Sequence, residues 1–197
     1  MIEIITGPMF CGKTEELIRK IRKEFISERK VQLFKPAIDT RYSDTRISTH
    51  NGSTIEAIPV RSSKEVQEKI KQNTEVIGID EIQFLDDKII DLAIKLHNSE
   101  KRVLLACLNM DFRGEPFKFK DSEKHVGYLM ALANHVITLS AICTHKEDGK
   151  ICGSQAFYTQ RLINGKPASY DSPLIMIGSK DKYEARCKKH HIISKPI

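Results

Sequence analysis

The sequence lacks any apolar run that approaches the eighteen or so residues needed to span a bilayer, so we expect no membrane partner. It also lacks the charged segment and apolar stretch of a secretion signal, because residues 2–5 already read as a buried strand. No internal repeat or low-complexity segment is visible in the sequence. These absences predict a cytoplasmic protein, in a compartment where disulfides are disfavoured.

The composition is that of an ordinary globular protein. A chain of 197 residues corresponds to about one domain with room for a small appendage. The net charge of +6 favours anionic ligands, which include nucleoside triphosphates and nucleic acid alike. Because the basic residues are spread along the chain rather than gathered in a tail, the charge argues against a nucleic-acid partner.

Strand-like and helix-like segments alternate through the first 140 residues. Apolar residues recur at helical spacing after Lys13, whereas 31–34, 75–79 and 102–108 read as nearly continuous apolar strands. This alternation predicts an α/β fold with a parallel sheet flanked by helices on both faces. Further helices are expected over 62–72, 86–97 and 122–134, and further strands over 47–50, 53–58 and 135–139.

Near residue 141 the pattern changes to turn residues, cysteines and short strand-like stretches. Asn164-Gly165, between two such stretches, predicts a two-residue hairpin turn, as Asn51-Gly52 does earlier in the chain. We therefore predict two units. Residues 1–140 would form a nucleotide-binding α/β domain, and residues 141–197 a small β module.

The stretch GPMFCGKT, residues 7–14, matches the phosphate-binding pattern G-x(4)-G-K-[ST] in full. It lies between a strand-like segment and an amphipathic helix, which is the context that such a loop requires. Its backbone N–H groups are expected to surround phosphate oxygens, with Lys13 on the β- and γ-phosphates and Thr14 on Mg²⁺. The predicted phosphate-binding residues of this loop are Gly7, Pro8, Met9, Phe10, Cys11, Gly12, Lys13 and Thr14.

Two carboxylates follow the apolar strand that ends at Ile79. Asp80 is predicted to hold magnesium with Thr14, directly or through water, and Glu81 to point into the same crevice. Glu81 would then accept a proton from an attacking hydroxyl or water, although a solvated residue at a strand end is the alternative. Because ATPases carry the same pair, it does not separate a kinase from an ATPase.

Cysteines and histidines cluster in the last quarter of the chain. Cys143, Cys152, Cys187 and His190 are predicted to hold structural Zn²⁺, which stabilises modules too small for a core of their own. Three alternatives stay open from the residues: His145 in place of a cysteine, His191 in place of His190, or buried cysteines without a metal.

Six motifs follow one another along nearly the whole chain. They are GPMFCGKT at 7–14, KPAIDTRYSDTRISTHNG at 35–52, DEIQF at 80–84, LNMDFRGEPF at 108–117, YTQRL at 158–162 and IGSKDKYEARCKKHH at 177–191. In this order they resemble the type II thymidine kinases. The resemblance implies a RecA-like P-loop sheet and a C-terminal zinc ribbon with a lasso loop over the nucleoside. Family members usually show C-x-x-C where eight residues separate Cys143 from Cys152 here.

The activity implied by this resemblance is transfer of the ATP γ-phosphoryl group to the 5′-hydroxyl of thymidine, and of deoxyuridine, in nucleotide salvage. Glu81 would be the general base. Asp39 and Arg41 would lie near the phosphates and magnesium, although in a polar loop they could simply pair with each other. Ile82 and Gln83 join the implied ATP-binding residues. A homotetramer and feedback inhibition by thymidine triphosphate are implied as well.

For the nucleoside, the resemblance implies apolar walls around the base and recognition of its edge by backbone groups of the lasso loop, residues 170–183. The implied nucleoside-binding residues are Met9, Phe84, Leu108, Phe112, Leu174, Ile175, Met176, Ile177, Gly178 and Tyr183.

A nucleic-acid-binding ATPase with a zinc ribbon is the alternative from a different functional class. The small size of the chain and its dispersed basic charge argue against this alternative, as does the absence of further ATPase motifs from the sequence. We therefore expect a kinase that binds ATP and thymidine, with neither nucleic acid nor membrane as a partner.

Overall fold

The computed structural model describes residues 1–37, 46–48, 54–174 and 182–194. Among these residues, no helix is both long enough and apolar enough to cross a membrane. Several positions named above lie outside the described residues. They are Asp39, Arg41, the Asn51-Gly52 dipeptide, Ile175, Met176, Ile177 and Gly178.

Six parallel strands form the central sheet. Its central strands are buried along almost their whole length, as nearly continuous apolar sequence predicts for a sheet covered on both faces. From one edge to the other, the strands are β5 (Ile58–Val60), β2 (Val31–Pro36), β6 (Val76–Ile79), β7 (Arg102–Leu108), β1 (Ile2–Gly7) and β8 (His135–Thr138).

Helices cover both faces of this sheet, which confirms the predicted α/β fold. Successive side chains of a strand point to opposite faces, so Ile5 joins one hydrophobic cluster and Ile4 the other. The Ile5 cluster includes Leu17, Ile18 and Ile21 of the first helix. The helices are α1 (Lys13–Ile26) on that face, and α2 (Ser63–Lys69), α3 (Ile89–Asn98) and α4 (Gly127–Leu132) on the other.

A separate two-stranded pair, β3 (Arg46–Ser48) and β4 (Thr54–Glu56), packs against the α1 side of the sheet through Ile47 and Ile55. The antiparallel pairing of Arg46–Ser48 with Thr54–Glu56 agrees with two strands joined across this stretch. The two-residue turn at Asn51-Gly52 lies outside the described residues and stays a prediction. The strand expected over 53–58 is wrong in extent, because the chain turns at Ala57 and continues as β5 beside β2. Pro59 is compatible with this position because β5 is an edge strand, where one unpaired side is normal.

Beyond β8, short antiparallel pairs replace the parallel sheet. Asn164 and Gly165 have φ values of 51° and 78°, the left-handed conformation that a two-residue hairpin turn needs, which confirms that prediction. The division at residue 141 stays a prediction. The strands are β9 (Ala141–Ile142) paired with β12 (Gln155–Ala156), β10 (Lys146–Glu147) with β11 (Lys150–Ile151), and β13 (Tyr158–Ile163) with both β14 (Lys166–Pro167) and β15 (Lys182–Arg186).

Three helices are shorter than their sequence pattern predicts. The helix expected over 86–97 begins only at Ile89. The helix expected over 122–134 begins only at Gly127, because Ser122 instead donates to Asp87 Oδ2 at 2.9 Å and accepts from Lys124 N at 3.0 Å. The helix expected over 62–72 ends at Lys69, where Gln32 donates to the Lys69 carbonyl at 2.9 Å. Two short 3₁₀ helices, Ile82–Phe84 and Lys188–His190, complete the described elements.

Candidate active site and metal centre

The loop after β1 requires glycine at both of its ends. Gly7 has φ 150°, and a Cβ there would lie 2.4 Å from the Leu139 carbonyl oxygen and 2.8 Å from Cys11 Sγ. Gly12 has φ 83° and begins α1 without a side-chain cap, which leaves the first N–H groups of the helix facing the loop. An anion at this helix start would meet those N–H groups and the helix dipole.

Lys13 is buried within this loop. Its Nζ donates to the Pro8 carbonyl oxygen at 2.7 Å and lies 3.9 Å from Cys11 Sγ. The ammonium is therefore folded over the loop that is predicted to hold the phosphates. Phe10, at the loop tip, has φ 66°, and its side chain is about half exposed.

The two predicted magnesium ligands lie next to each other. Thr14 Oγ1 donates to Asp80 Oδ2 at 3.0 Å, which joins the start of α1 to the end of β6. Burial, together with the nearby charge of Glu81, raises the pKa of Asp80 to about 7. A hydroxyl and a carboxylate are the hard oxygen ligands that Mg²⁺ prefers. These two residues therefore fit a magnesium ion that accompanies a nucleotide.

Glu81 occupies a left-handed backbone conformation, with φ 49° and ψ 45°. Such a conformation is unfavourable for glutamate and is often found at functional sites. Gln83 Nε2 donates to Glu81 Oε2, while Gln83 Oε1 accepts from Leu108 N at 3.2 Å. With 1% exposure, Gln83 has both ends of its amide bonded within the protein. Its side chain holds Glu81, a role that the sequence pattern did not indicate, while Ile82 lies in the core.

Four of the predicted nucleoside-binding residues belong to one hydrophobic cluster. Leu108 is a buried member, and Met9, Phe84 and Leu174 pack against its edge. Phe84 also meets Phe117 edge to face, with 5.8 Å between ring centroids. Leu108 pairs with Gly7 at the ends of β7 and β1, and Met9 is part of the phosphate loop, so these two residues lie at the loop.

Phe112 has different surroundings. The guanidinium carbons of Arg113 and Arg161 lie 4.9 and 5.4 Å from its ring centroid. Its backbone carbonyl accepts from His191 Nε2 at 2.9 Å. Tyr183 lies in β15, directly opposite Arg161 of β13. Through Arg161 and His191, Phe112 is therefore joined to the C-terminal part of the chain.

Arg113 and Arg161 hold the start of the lasso loop, a role that sequence reasoning did not assign. Arg113 donates from Nε to the Tyr170 carbonyl at 2.7 Å and from Nη2 to the Ser172 carbonyl at 2.9 Å. Arg161 is fully buried and donates to the Pro173 carbonyl. Both lie in motifs that carry the family resemblance, and a buried arginine almost always has a partner. The signal that the sequence offered for these two residues was their place in those motifs.

The phosphate loop is also joined to the C-terminal module. Met9 N donates to Thr159 Oγ1 of β13 at 3.0 Å. Cys11 packs against the small hydrophobic cluster that contains Ala141, Cys143 and Ala185. The phosphate loop is therefore joined to β13, the strand that also carries Arg161.

The predicted zinc residues come together. The ligand atoms of Cys143, Cys152, Cys187 and His190 all lie within 4.8 Å of one another. All three cysteines are free of disulfides. Three sulfurs and one imidazole nitrogen in this arrangement suit the tetrahedral preference of Zn²⁺. Hydrogen bonding to Ser154 lowers the pKa of Cys152 to about 6, so one thiolate forms readily near neutral pH.

The two histidine alternatives have other contacts. His191 donates to the Phe112 carbonyl and stacks on Tyr158, with 4.7 Å between ring centroids. His145 packs against the His190 ring at 4.3 Å. Ligand atoms of His145, Glu147 and His190 also lie within 4.8 Å of one another. His190 is therefore shared between this group and the Cys₃His cluster.

A parallel α/β sheet with a phosphate loop and an acidic pair at a neighbouring strand end is typical of nucleotide-binding proteins. The family model described as thymidine kinase matches residues 1–191, and the chain belongs to that family. The protein is a phosphotransferase that phosphorylates thymidine in nucleotide salvage, with ATP and thymidine as substrates. The prediction of a kinase rather than a nucleic-acid-driven ATPase is confirmed.

Proposed function

We propose that this enzyme transfers the γ-phosphoryl group of Mg·ATP to the 5′-hydroxyl of thymidine, with Glu81 as the general base. The observation that carries the proposal is the position of Glu81. It directly follows the buried Asp80, and its carboxylate is oriented by Gln83. A base held in one orientation at the carboxyl end of the sheet can accept the proton as the hydroxyl attacks phosphorus.

The donor nucleotide would be held by the loop over residues 7–14. Lys13 would exchange the Pro8 carbonyl for β- and γ-phosphate oxygens, and the N–H groups at the start of α1 would face the same phosphates. Thr14 and Asp80 would hold magnesium, which when bound offsets negative charge on the transferring group. Asp39 and Arg41 are proposed to lie beside these phosphates.

The nucleoside would lie between this loop and the lasso. We propose that Met9, Phe84, Leu108 and Leu174 form an apolar wall for the base. They belong to or pack against the same hydrophobic cluster, and Leu108 pairs with Gly7 of the phosphate loop. Backbone groups of 175–178 would bond to the edge of the base, with Phe112 and Tyr183 completing the pocket. Arg113 and Arg161 would fix the start of that segment through its carbonyl groups.

The test of this function is ADP formation from Mg·ATP in parallel reactions. One reaction has no acceptor, and the others contain thymidine, deoxyuridine, deoxycytidine, deoxyguanosine or single-stranded DNA. Turnover with thymidine and deoxyuridine, together with the matching 5′-monophosphates, is expected. Turnover that ignores nucleosides and rises with DNA would contradict the proposal.

We also propose a cytoplasmic homotetramer that thymidine triphosphate inhibits. Five unpaired cysteines agree with a reducing compartment. The edge strand β8 exposes Val136, and the nearby α4 exposes Tyr128 and Leu132, so this edge offers apolar surface for a second subunit. Light scattering on the full chain measures the assembly. Thymidine turnover at increasing thymidine triphosphate measures the inhibition.

A further inference from the structure

The eight residues between Cys143 and Cys152 form a structured knuckle. Strands β10 and β11 pair within it, and Asp148 and Gly149 make the turn with φ values of 48° and 76°. The knuckle is closed by a hydrogen bond from Cys152 N to the His145 carbonyl at 2.8 Å. A two-residue link between the cysteines would suffice to present two sulfurs, so the additional residues need another explanation.

The knuckle brings Glu147 to the zinc cluster. Glu147 Oε1 lies 3.1 Å from His190 Nε2. The other ring nitrogen, His190 Nδ1, lies 3.5 Å from Cys143 Sγ and 3.4 Å from Cys187 Sγ. One nitrogen of the ring therefore faces the sulfur cluster while the other faces a carboxylate.

We propose that Glu147 is a positioning residue for the zinc centre, accepting a hydrogen bond from His190 Nε2–H so that the Nδ1 lone pair faces the metal. A neutral imidazole carries one proton, so the bond at one nitrogen decides which nitrogen can bind metal. The proposal rests on the assignment of zinc to the Cys₃His cluster and needs no part of the kinase reaction.

Two neighbours support this geometry. Lys189 Nζ lies 3.1 and 3.3 Å from the two Glu147 carboxylate oxygens, so an ammonium group faces the carboxylate. The Glu147 carboxylate thus lies between two donors, Lys189 Nζ and the His190 ring. His145 packs against the His190 ring, with 37° between the ring planes, and limits its rotation. The knuckle thus holds His190 by one hydrogen bond and one ring contact.

The first experiment is zinc competition between the full chain and a chromophoric chelator. Glu147→Ala is expected to weaken zinc binding by about 10- to 100-fold, the usual effect of removing such a partner. Glu147→Gln removes the same charge but keeps an acceptor oxygen, so it should retain most of the affinity. Lys150→Gln, at an exposed position of the same knuckle, is the matched control and should bind zinc like the wild type.

The second readout is the protonation of His190, followed by ¹⁵N NMR of the imidazole in the zinc-loaded protein. The wild type should show a protonated Nε2, with slow exchange that Glu147→Ala accelerates. Equal affinity of Glu147→Ala and the wild type would overturn the proposal, as would equal weakening by the Ala and Gln variants. A wild-type chain that binds no zinc would overturn the metal assignment itself. Neither result depends on thymidine or ATP turnover.

Discussion

Gln83 Nε2 donates a hydrogen bond to the carboxylate of Glu81, two residues earlier in the chain. The same amide accepts from the Leu108 backbone at the end of β7. Gln83 therefore connects the proposed general base to β7, one of the central strands of the sheet. A carboxylate with one fixed orientation loses less entropy when it must face a substrate hydroxyl.

Glu81→Gln should lower thymidine turnover by about 10²- to 10⁴-fold, the usual contribution of a general base. The amide has the same shape but cannot take up the proton, so binding of ATP and thymidine should persist. Steady-state turnover and calorimetric binding of each substrate measure both properties. Near-normal turnover would remove Glu81 from this role.

Gln83→Met should lower turnover by roughly 10- to 100-fold, because a slightly misplaced catalytic group loses rate of that order. Methionine fills the space but forms neither hydrogen bond. In a Glu81→Gln background, the same substitution should have no additional effect, since Gln83 acts through Glu81. Gln72→Met, at an exposed position, is the matched control. If Gln83→Met lowers turnover by the same factor in the Glu81→Gln background as in the wild type, Gln83 has a general structural role instead.

Lys13→Ala should abolish phosphoryl transfer, because the loop loses the ammonium group that reaches the β- and γ-phosphates. Lys23→Ala, near the end of the same helix and exposed, should leave transfer unchanged. ADP formation with thymidine measures both variants. Full activity without Lys13 would contradict the phosphate-loop assignment.

Asp80 makes the stability of the nucleotide-free protein depend on pH. Its pKa rises from 3.8 to about 7 on folding, so the folded state binds this proton more tightly than the unfolded state. The free energy of unfolding should therefore fall as pH rises between these values. Asp80→Asn should remove that contribution. Urea unfolding of both proteins between pH 5 and 8, without nucleotide or magnesium, measures the free energy of unfolding at each pH. The same pH dependence in the wild type and in Asp80→Asn would contradict the prediction.

Metal analysis of the full chain should give about one zinc per chain, since the described residues hold one Cys₃His cluster. Cys187→Ser should release the metal and destabilise the small β module, which has a small hydrophobic cluster of its own. A metal-free wild type that is fully folded would contradict the site. Thermal unfolding with and without a chelator supplies the comparison.

Local patterns predicted those parts of the molecule that depend on neighbouring residues. The strand over 102–108 and the loop over 7–14 follow from apolar runs and glycine spacing. The end of α2 did not follow, because Gln32, far away in sequence, bonds to the Lys69 carbonyl. The orientation of Gln83 was equally hidden, since it depends on the position of Leu108 in a strand formed later in the chain.

The hydrogen bond from Met9 to Thr159 has a thermodynamic consequence. Met9 lies in the loop proposed for the donor, and β13, which carries Thr159, also carries Arg161, the anchor of the lasso. A ligand that fixes the position of the loop should therefore also fix β13 and Arg161. We therefore expect ATP and thymidine to bind cooperatively, and by linkage each must raise the affinity for the other by the same factor.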